Sequence, residues 1–473
     1  MFVACDDVYD DDESYAPDVT NATLQSPSVE DIVITASTDG TSQTITWPVV
    51  HGAGGYLCSV YDVTNPDEPV AVNDIVEKVV DGCSLTLSRS EDTNYKFSIK
   101  TLGNTKYNNK DAESATEMSF STFTPSFATI PAGIDLTTWF AENPIPEEAI
   151  TTNLCYDLEA GQEYYISDDI DFFNHLVTLR TTNKANPAKI IFTGTDASIR
   201  TSTGIELKYI NFDCSASMAP FIELSETPDE NIKGATGSGD CYNIINNVVI
   251  NGCKIEGVNY NLIYDSNKKY CIGNFLINNS VIHLTSNSLT NINGNAVIYF
   301  KAGWINGTTI KNSTIWNTGN SDAKYFIQYN NSCRADRGGY ATNSVNFMNN
   351  TFYNLAKAGQ WANYSGYAGR TTSYWVMTNN IFVDCGNKQI PRRFLAGRGN
   401  QSTATFGYNT YMFDGTFESV DGSVAPYDNS GTAIEEDPGF ADPANGDFTI
   451  SGSTQLEKRT GDPRWLPEET AAE

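Results

Sequence analysis

Six times between residues 209 and 382 the chain repeats one short phrase, in which asparagine sits among alternating apolar residues. The copies are Tyr209-Ile210-Asn211-Phe212, Ile250-Asn251-Gly252-Cys253-Lys254-Ile255, Ile277-Asn278-Asn279-Ser280-Val281-Ile282, Ile310-Lys311-Asn312-Ser313-Thr314-Ile315, Phe347-Met348-Asn349-Asn350-Thr351-Phe352 and Met377-Thr378-Asn379-Asn380-Ile381-Phe382. Aligned on their last apolar residue, they are separated by 43, 27, 33, 37 and 30 residues. A propeller or a leucine-rich array holds its period nearly constant, because each repeat is a unit of fixed size. Steps this uneven suit a coil of short parallel strands whose turns carry loops of any length. The fold class is therefore all-β, with a right-handed, single-stranded parallel β-helix over residues 130–452. At a tight turn between two sheets, the asparagine amide can satisfy backbone groups and bond to its counterpart one coil above.

A different grammar precedes the helix. Residues 28–125 carry short alternating runs between turn signals, among them Gln43-Thr44-Ile45-Thr46-Trp47, Tyr56-Leu57-Cys58-Ser59-Val60 and Tyr95-Lys96-Phe97-Ser98-Ile99. About seven such strands make a sandwich. Trp47 on the second strand, and Tyr95 in a Tyr-x-Phe-x-Ile strand after Leu85 and Leu87, resemble the fibronectin type III pattern, which implies a core tryptophan and a tyrosine corner. Cys58 and Cys83 can be read as a disulfide or as two buried thiols. The segment Leu136 to Asn153, with Trp139 and Phe140, is expected to cap the coil at its start. Asp437-Pro438-Gly439-Phe440 through Ile450 is expected to form its last rung, and residues 453–473 a C-terminal tail.

Residues 1–27 read as an anchor and acidic linker. Met1-Phe2-Val3-Ala4-Cys5-Asp6-Asp7 resembles the end of a bacterial lipoprotein signal, with a small residue before a cysteine and polar residues after it. The resemblance implies lipidation at Cys5 and attachment to the outer membrane at the cell surface. The acids that follow repel one another and stay solvated, as an extended tether would.

Charge and residue usage exclude several classes. A net charge of −29 argues against nucleic acid or an anionic membrane surface as a partner. Ten cysteines without a C-x-x-C pair, and three scattered histidines, leave no zinc site and no histidine-based triad. No resident metal or other cofactor is expected.

One window departs from the acidity of the whole. Residues 266–400 hold thirteen lysines and arginines against three acids, Asp322, Asp336 and Asp384. Stacked coils can line one groove with bases from distant loops. The expected ligand-binding residues are Arg334, Arg337, Lys357, Arg370, Lys388, Arg392, Arg393 and Arg398 for uronate carboxylates, with Trp361, Tyr364, Tyr374 and Trp375 for sugar rings. Tyr340 to Tyr374 is the expected loop over that groove. If the chain cleaves a uronan by β-elimination, Lys388, Arg392, Arg393 or Arg398 would be the base, with calcium as the possible cofactor. Hydrolysis by the residues of polygalacturonases is disfavoured, since their Gly-His-Gly phrase is absent.

The arrangement of anchor, fibronectin-like spacer and Asn-ladder coil, with the closing phrases at Asp437 to Phe440 and Gly461-Asp462-Pro463-Arg464-Trp465, resembles surface lipoproteins of gut-bacterial polysaccharide-utilisation systems whose β-helix is pectate-lyase-like. The resemblance implies a carbohydrate ligand and a glycan importer as a partner. The function expected is non-catalytic capture of an acidic, pectin-like polysaccharide. The alternatives are a polysaccharide lyase and a structural adhesin without a glycan site. The adhesin is favoured if the basic side chains are dispersed around the cylinder.

Overall fold

The computed structural model describes residues 19–38, 40–234, 240–287, 295–319, 321–388, 390–396, 403–417 and 428–468. Cys5 and the acidic tether, Gln389 and Arg398 lie outside them, as do the side chains of Thr151 and Lys388. The chain divides into two units, the first comprising Met1–Pro125 with Thr182–Ala185 and the second Ser126–Thr181 with Asn186–Glu473.

In the first unit, period-2 alternation builds two antiparallel sheets. One joins Val33–Ala36, Ser42–Thr46 and Ser84–Ser88. The other places Gly55–Asp62 between Asn94–Leu102 and the short strands Val70–Ala71 and Lys78–Val80, with Thr116–Ser121 at its edge. Trp47, Val60, Tyr95, Phe97 and Ile99 fill the space between them. Cys58 and Cys83 are free thiols. The sandwich starts before residue 28, because the Asn21 N–H donates to Tyr107 O and the Leu24 N–H to Lys110 O, and Leu24 is buried. Part of the expected linker is thus paired backbone.

The second unit is a parallel β-helix. The coils contribute strands to three sheets, the third of which ends two coils before the other two, and strands of successive coils pair in parallel. The first sheet runs from Ala128–Ile130 and Leu154–Leu158 to Ser373–Thr378 and Thr403–Gly407. The second runs from Glu163–Ile166 to Thr410–Phe413, with the antiparallel Thr416–Phe417 at its end, and the third from Ile170–Asp171 to Gln360–Asn363. In the second sheet Phe212 pairs with Ile255, Ile255 with Ile282, Ile282 with Ile315, Ile315 with Phe352 and Phe352 with Phe382. The residues on which the sequence repeat aligns are therefore one inward-facing stack, and the uneven steps are loops of unequal length between equal coils.

The turn from the first sheet to the second explains the asparagines. Its first residue is left-handed in Asn279, Asn312, Asn349 and Asn379, with φ between 47° and 56°, a conformation that asparagine tolerates better than most residues. Its second residue is buried and forms a ladder of a different kind. The Ser280 N–H donates to Ser313 Oγ, the Ser313 N–H to Asn350 Oδ1, the Asn350 N–H to Asn380 Oδ1 and the Asn380 N–H to Asn409 Oδ1, at 3.0–3.2 Å. The side chains thus supply the hydrogen bonds that the backbone cannot make at a corner.

Both ends are covered. The Asp135 carboxylate caps Leu136–Glu142, and Trp139 and Phe140 meet Tyr156 edge-on at 5.8 and 5.2 Å, closing the first coil. At the other end, the segment 437–450 forms no rung. Parallel pairing stops at Thr410–Phe413, where Asp428 accepts from the Tyr411 hydroxyl and the Ile434 N–H donates to Asn409 O, and the chain from Phe440 to Leu466 then runs back along the outer face of the second sheet. There Ile450 packs on Ile381 and Val383, Phe448 meets Trp316 and Tyr353, and the Gly461 N–H donates to Asn379 O. The helix therefore ends well before residue 452. The supposed tail is a strap containing the helix Ser453–Lys458, and it removes one face of the cylinder from solvent.

Asp462 fastens that strap. It is 1% exposed and accepts from Thr314 Oγ1 at 2.8 Å, and its burial pushes the carboxyl up to about 6 despite Arg464 alongside. A carboxyl with a raised pKa in the folded state stabilises it while protonated, and that contribution is lost as pH rises through about 6. Asp462→Asn is therefore expected to gain on the wild type by on the order of 2 kcal/mol between about pH 4 and pH 7. Denaturant titrations across that range check it, and a pH-independent difference would refute the assignment.

Candidate functional site

The structure scatters the expected ligand-binding residues. Trp361 and Trp375 occupy inward positions of the strands Gln360–Asn363 and Ser373–Thr378, where period-2 alternation turns them into the coil. Trp361 stacks on Phe326 at 4.4 Å, and Trp375 packs on Phe394. Tyr364 is fully buried and donates to Phe394 O. These three aromatics are core, which corrects their reading as sugar platforms. Tyr374 alone points outward, 45% exposed, from the first sheet. Much of Tyr340 to Tyr374 is likewise coil rather than a loop over a groove, since it contains three strands.

The bases are dispersed as well. Arg334 clamps Asp336, two residues on, through Nε and Nη2 at 3.0 and 2.9 Å. Arg337 is exposed on the same turn, and Arg370 donates to Gly366 O. Arg392 and Arg393 sit side by side on the short helix Ile390–Phe394. Burial, with Arg392 beside it, lowers the pKa of Arg393, and its Nε has no partner among the described residues. Among the described residues no single groove gathers the expected bases; Arg398 and the Lys388 side chain lie outside the described residues.

A different site forms where the second sheet turns into the third. Strands of the second sheet end in register, which brings Asn317, Asn354, Asp384 and Phe413 to one corner from four successive coils. Asn354 Nδ2 donates to Asn317 O, and the Asp414 N–H donates to Asp384 Oδ1. The loops that follow add Asp322, Lys357 and Asn387 around a cleft of 530 Å³. Lys357 Nζ lies 2.9 Å from both Asp384 Oδ2 and Asp414 Oδ1. Burial alone would lower the lysine's pKa, but the two carboxylates outweigh it and raise it, so the ammonium is fixed as a cation. Asp322 accepts from the Ala358 N–H at 3.0 Å, yet burial raises its pKa above the ordinary carboxylate value.

Sequence reasoning named Lys357 but not its partners. Asp322 and Asp384 read as isolated acids because they are distant in the chain, whereas the coil stacks them. The cleft offers asparagine amides, a fixed ammonium, the Asp322 carboxyl and the Phe413 ring, a set that binds hydroxyl groups. Among the described residues, no group of three or more His, Cys, Asp or Glu side chains is placed to hold a metal ion.

Three family models match the chain in tandem, each described as a domain of unknown function: DUF4992 over residues 1–161, DUF4957 over 162–318 and DUF5123 over 308–465. No curated protein matches it. Among solved structures, the pectate lyase PelI from Erwinia chrysanthemi is similar at 12% identity, covering 75% of this chain and 85% of that one with a TM-score of 0.14. The parallel β-helix stands on the strand register of the chain itself.

Proposed function

We propose that the protein binds a polysaccharide on its β-helix without cleaving it, through the cleft at Asp322, Asn354, Lys357, Asn387 and Phe413. The carrying observation is the clasp of Lys357 between Asp384 and Asp414. An ammonium held protonated in this way donates hydrogen bonds to hydroxyl or ring oxygens but is a poor acceptor for the proton that β-elimination removes. Its charge is also offset, so the cleft suits hydroxyl-rich segments. The uronates of a pectin-like chain would be met by Arg392 and Arg393. A second reading, a polysaccharide lyase, is favoured by one feature: the pKa of Arg393 is lowered by burial, the direction a basic catalyst needs.

The same proposal places the protein at the cell surface through a lipid on Cys5, presenting glycan to an importer, with the sandwich as spacer. The fibronectin type III assignment is supported by the strand order of the two sheets and by Tyr95, whose hydroxyl accepts the Ser90 N–H at 2.8 Å as in a tyrosine corner.

Ala358 lines the cleft and is exposed, so Ala358→Trp fills the space without touching the clasp. Calorimetry with polygalacturonate and with neutral plant polysaccharides is expected to show binding by the wild type, with affinity lower by about tenfold or more in the variant, equivalent to about 1.4 kcal/mol. Uronate contacts would weaken at high salt, while neutral contacts would not. A rise in unsaturated-product absorbance, with or without calcium, would replace this reading with the lyase. The dispersal of the bases favours the adhesin, and absence of any binding would replace this reading with it.

A further inference from the structure

We propose a second carbohydrate site, on the outer face of the first sheet, that takes a neutral sugar ring. It rests on the glycan reading for the class of ligand but not for the site itself, which is built from other residues on another face.

Strand register lines up Asn247, Asn274, Gly307, Ser344 and Tyr374 as one outward row. The row has a notch. A Cβ at Gly307 would lie 2.7 Å from Asn274 Oδ1 and 3.0 Å from Gly273 O, and one at Gly273 would lie 2.7 Å from Tyr340 Oη. Neither glycine has a positive φ, so the backbone does not require glycine there, and what the missing side chains allow is the close approach of Asn274 and Tyr340, which form the walls of the notch. The register shift between Ile244 and Asn247 turns Ile245 outward, 63% exposed, beside the notch. Bulges re-aim side chains in this way next to binding sites. Tyr340, from the segment between the third and first sheets, forms another wall, and the pocket holds 290 Å³.

Among the described residues, three of its polar atoms have no partner. Asn306 is 7% exposed and donates through Nδ2 to Thr342 O, which leaves Oδ1 with no partner. Asn343 is 2% exposed and accepts through Oδ1 from Ser373 Oγ, which leaves Nδ2 with none. The Tyr340 hydroxyl also lacks a partner. Buried polar groups are nearly always paired, so three orphans on one pocket need an explanation. An acceptor, a donor and a hydroxyl that can be either are together complementary to adjacent sugar hydroxyls, and Ile245 and the tyrosine ring suit the C–H face. No charged residue lines the pocket, which selects a neutral ring.

The test titrates the full chain with neutral cello-, xylo-, galacto- and arabino-oligosaccharides by calorimetry. Wild type is compared with Tyr340→Phe, Gly307→Val and the cleft variant Ala358→Trp. At least one neutral oligosaccharide should still bind Ala358→Trp, and that remaining binding should fall about threefold to tenfold when Tyr340→Phe is added and vanish when Gly307→Val is added. It should also be insensitive to salt. Tyr340→Phe should keep the wild-type melting temperature, since its hydroxyl has no partner to lose, so a loss of affinity there cannot come from unfolding. Neutral binding abolished by Ala358→Trp and untouched by Tyr340→Phe would overturn the second site while leaving the cleft intact. Polygalacturonate binding with no neutral oligosaccharide bound would overturn it equally.

Discussion

Asn380→Ala is expected to lower the stability of the β-helix by about 3 kcal/mol, because one side chain makes five hydrogen bonds inside the corner. Its Nδ2 donates to Asn409 Oδ1 at 3.0 Å, to Phe347 O at 2.9 Å and to Thr378 O at 3.0 Å, and its Oδ1 accepts the Asn350 N–H at 3.1 Å and Asn350 Nδ2 at 2.8 Å. Alanine leaves those partners buried without water to replace the lost bonds, and each unmet group costs about 1–3 kcal/mol before the remaining groups relax. The neighbouring Asn379 gives the contrast. Its φ of 56° is the reason for its identity, so glycine keeps the turn and Asn379→Gly is expected to cost less than about 1 kcal/mol. Urea titrations of the two variants would separate the roles. A loss within about 0.5 kcal/mol of wild type for Asn380→Ala would mean that the ladder decorates the corner rather than holding it.

The alignment that revealed the coil contained more than the fold. Two residues beyond Ile315, Phe352 and Phe382 stand Asn317, Asn354 and Asp384, the corner of the cleft. Counting onward from an inward-facing stack thus names the side chains that a turn will gather, and this part of the site was legible. Period-2 alternation back from Met377 likewise puts Trp375 inside, against its reading as a platform. What the sequence could not provide was the clasp. Asp414 follows a seventh and weaker copy, Phe406-Gly407-Tyr408-Asn409-Thr410-Tyr411, in which a tyrosine stands at the left-handed corner, and whether Lys357 meets a ligand or two carboxylates depends on loop conformation. The strap was hidden for a related reason: its apolar residues, Phe448 and Ile450, pack on the outside of a sheet, and alternation alone cannot distinguish an outer layer from a rung. The excess of bases between residues 266 and 400 is real, but stacked coils turn successive loops toward different faces. A linear charge count therefore reports the surface of a cylinder, not a groove.

Trp361→Ala is expected to be the most damaging of these substitutions, at about 4 kcal/mol, because it empties the centre of the aromatic core. The indole stacks on Phe326, meets Phe352 at 5.1 Å and Phe382 at 5.0 Å edge-on, and is fully buried. Its Nε1 nevertheless has no partner among the described residues. Trp361→Phe therefore removes some apolar area but also a buried donor whose desolvation costs about 1–3 kcal/mol, so the two terms nearly cancel and the change is expected to stay within about 1 kcal/mol. Binding reads out the other half of the argument. A sugar platform would lose affinity in the phenylalanine variant, since the larger indole face is gone, whereas a core residue leaves affinity unchanged in every variant that folds. Stable Trp361→Phe protein with wild-type glycan affinity is the expected result. A folded Trp361→Ala protein that lost only binding would return Trp361 to the ligand and displace the cleft at Lys357.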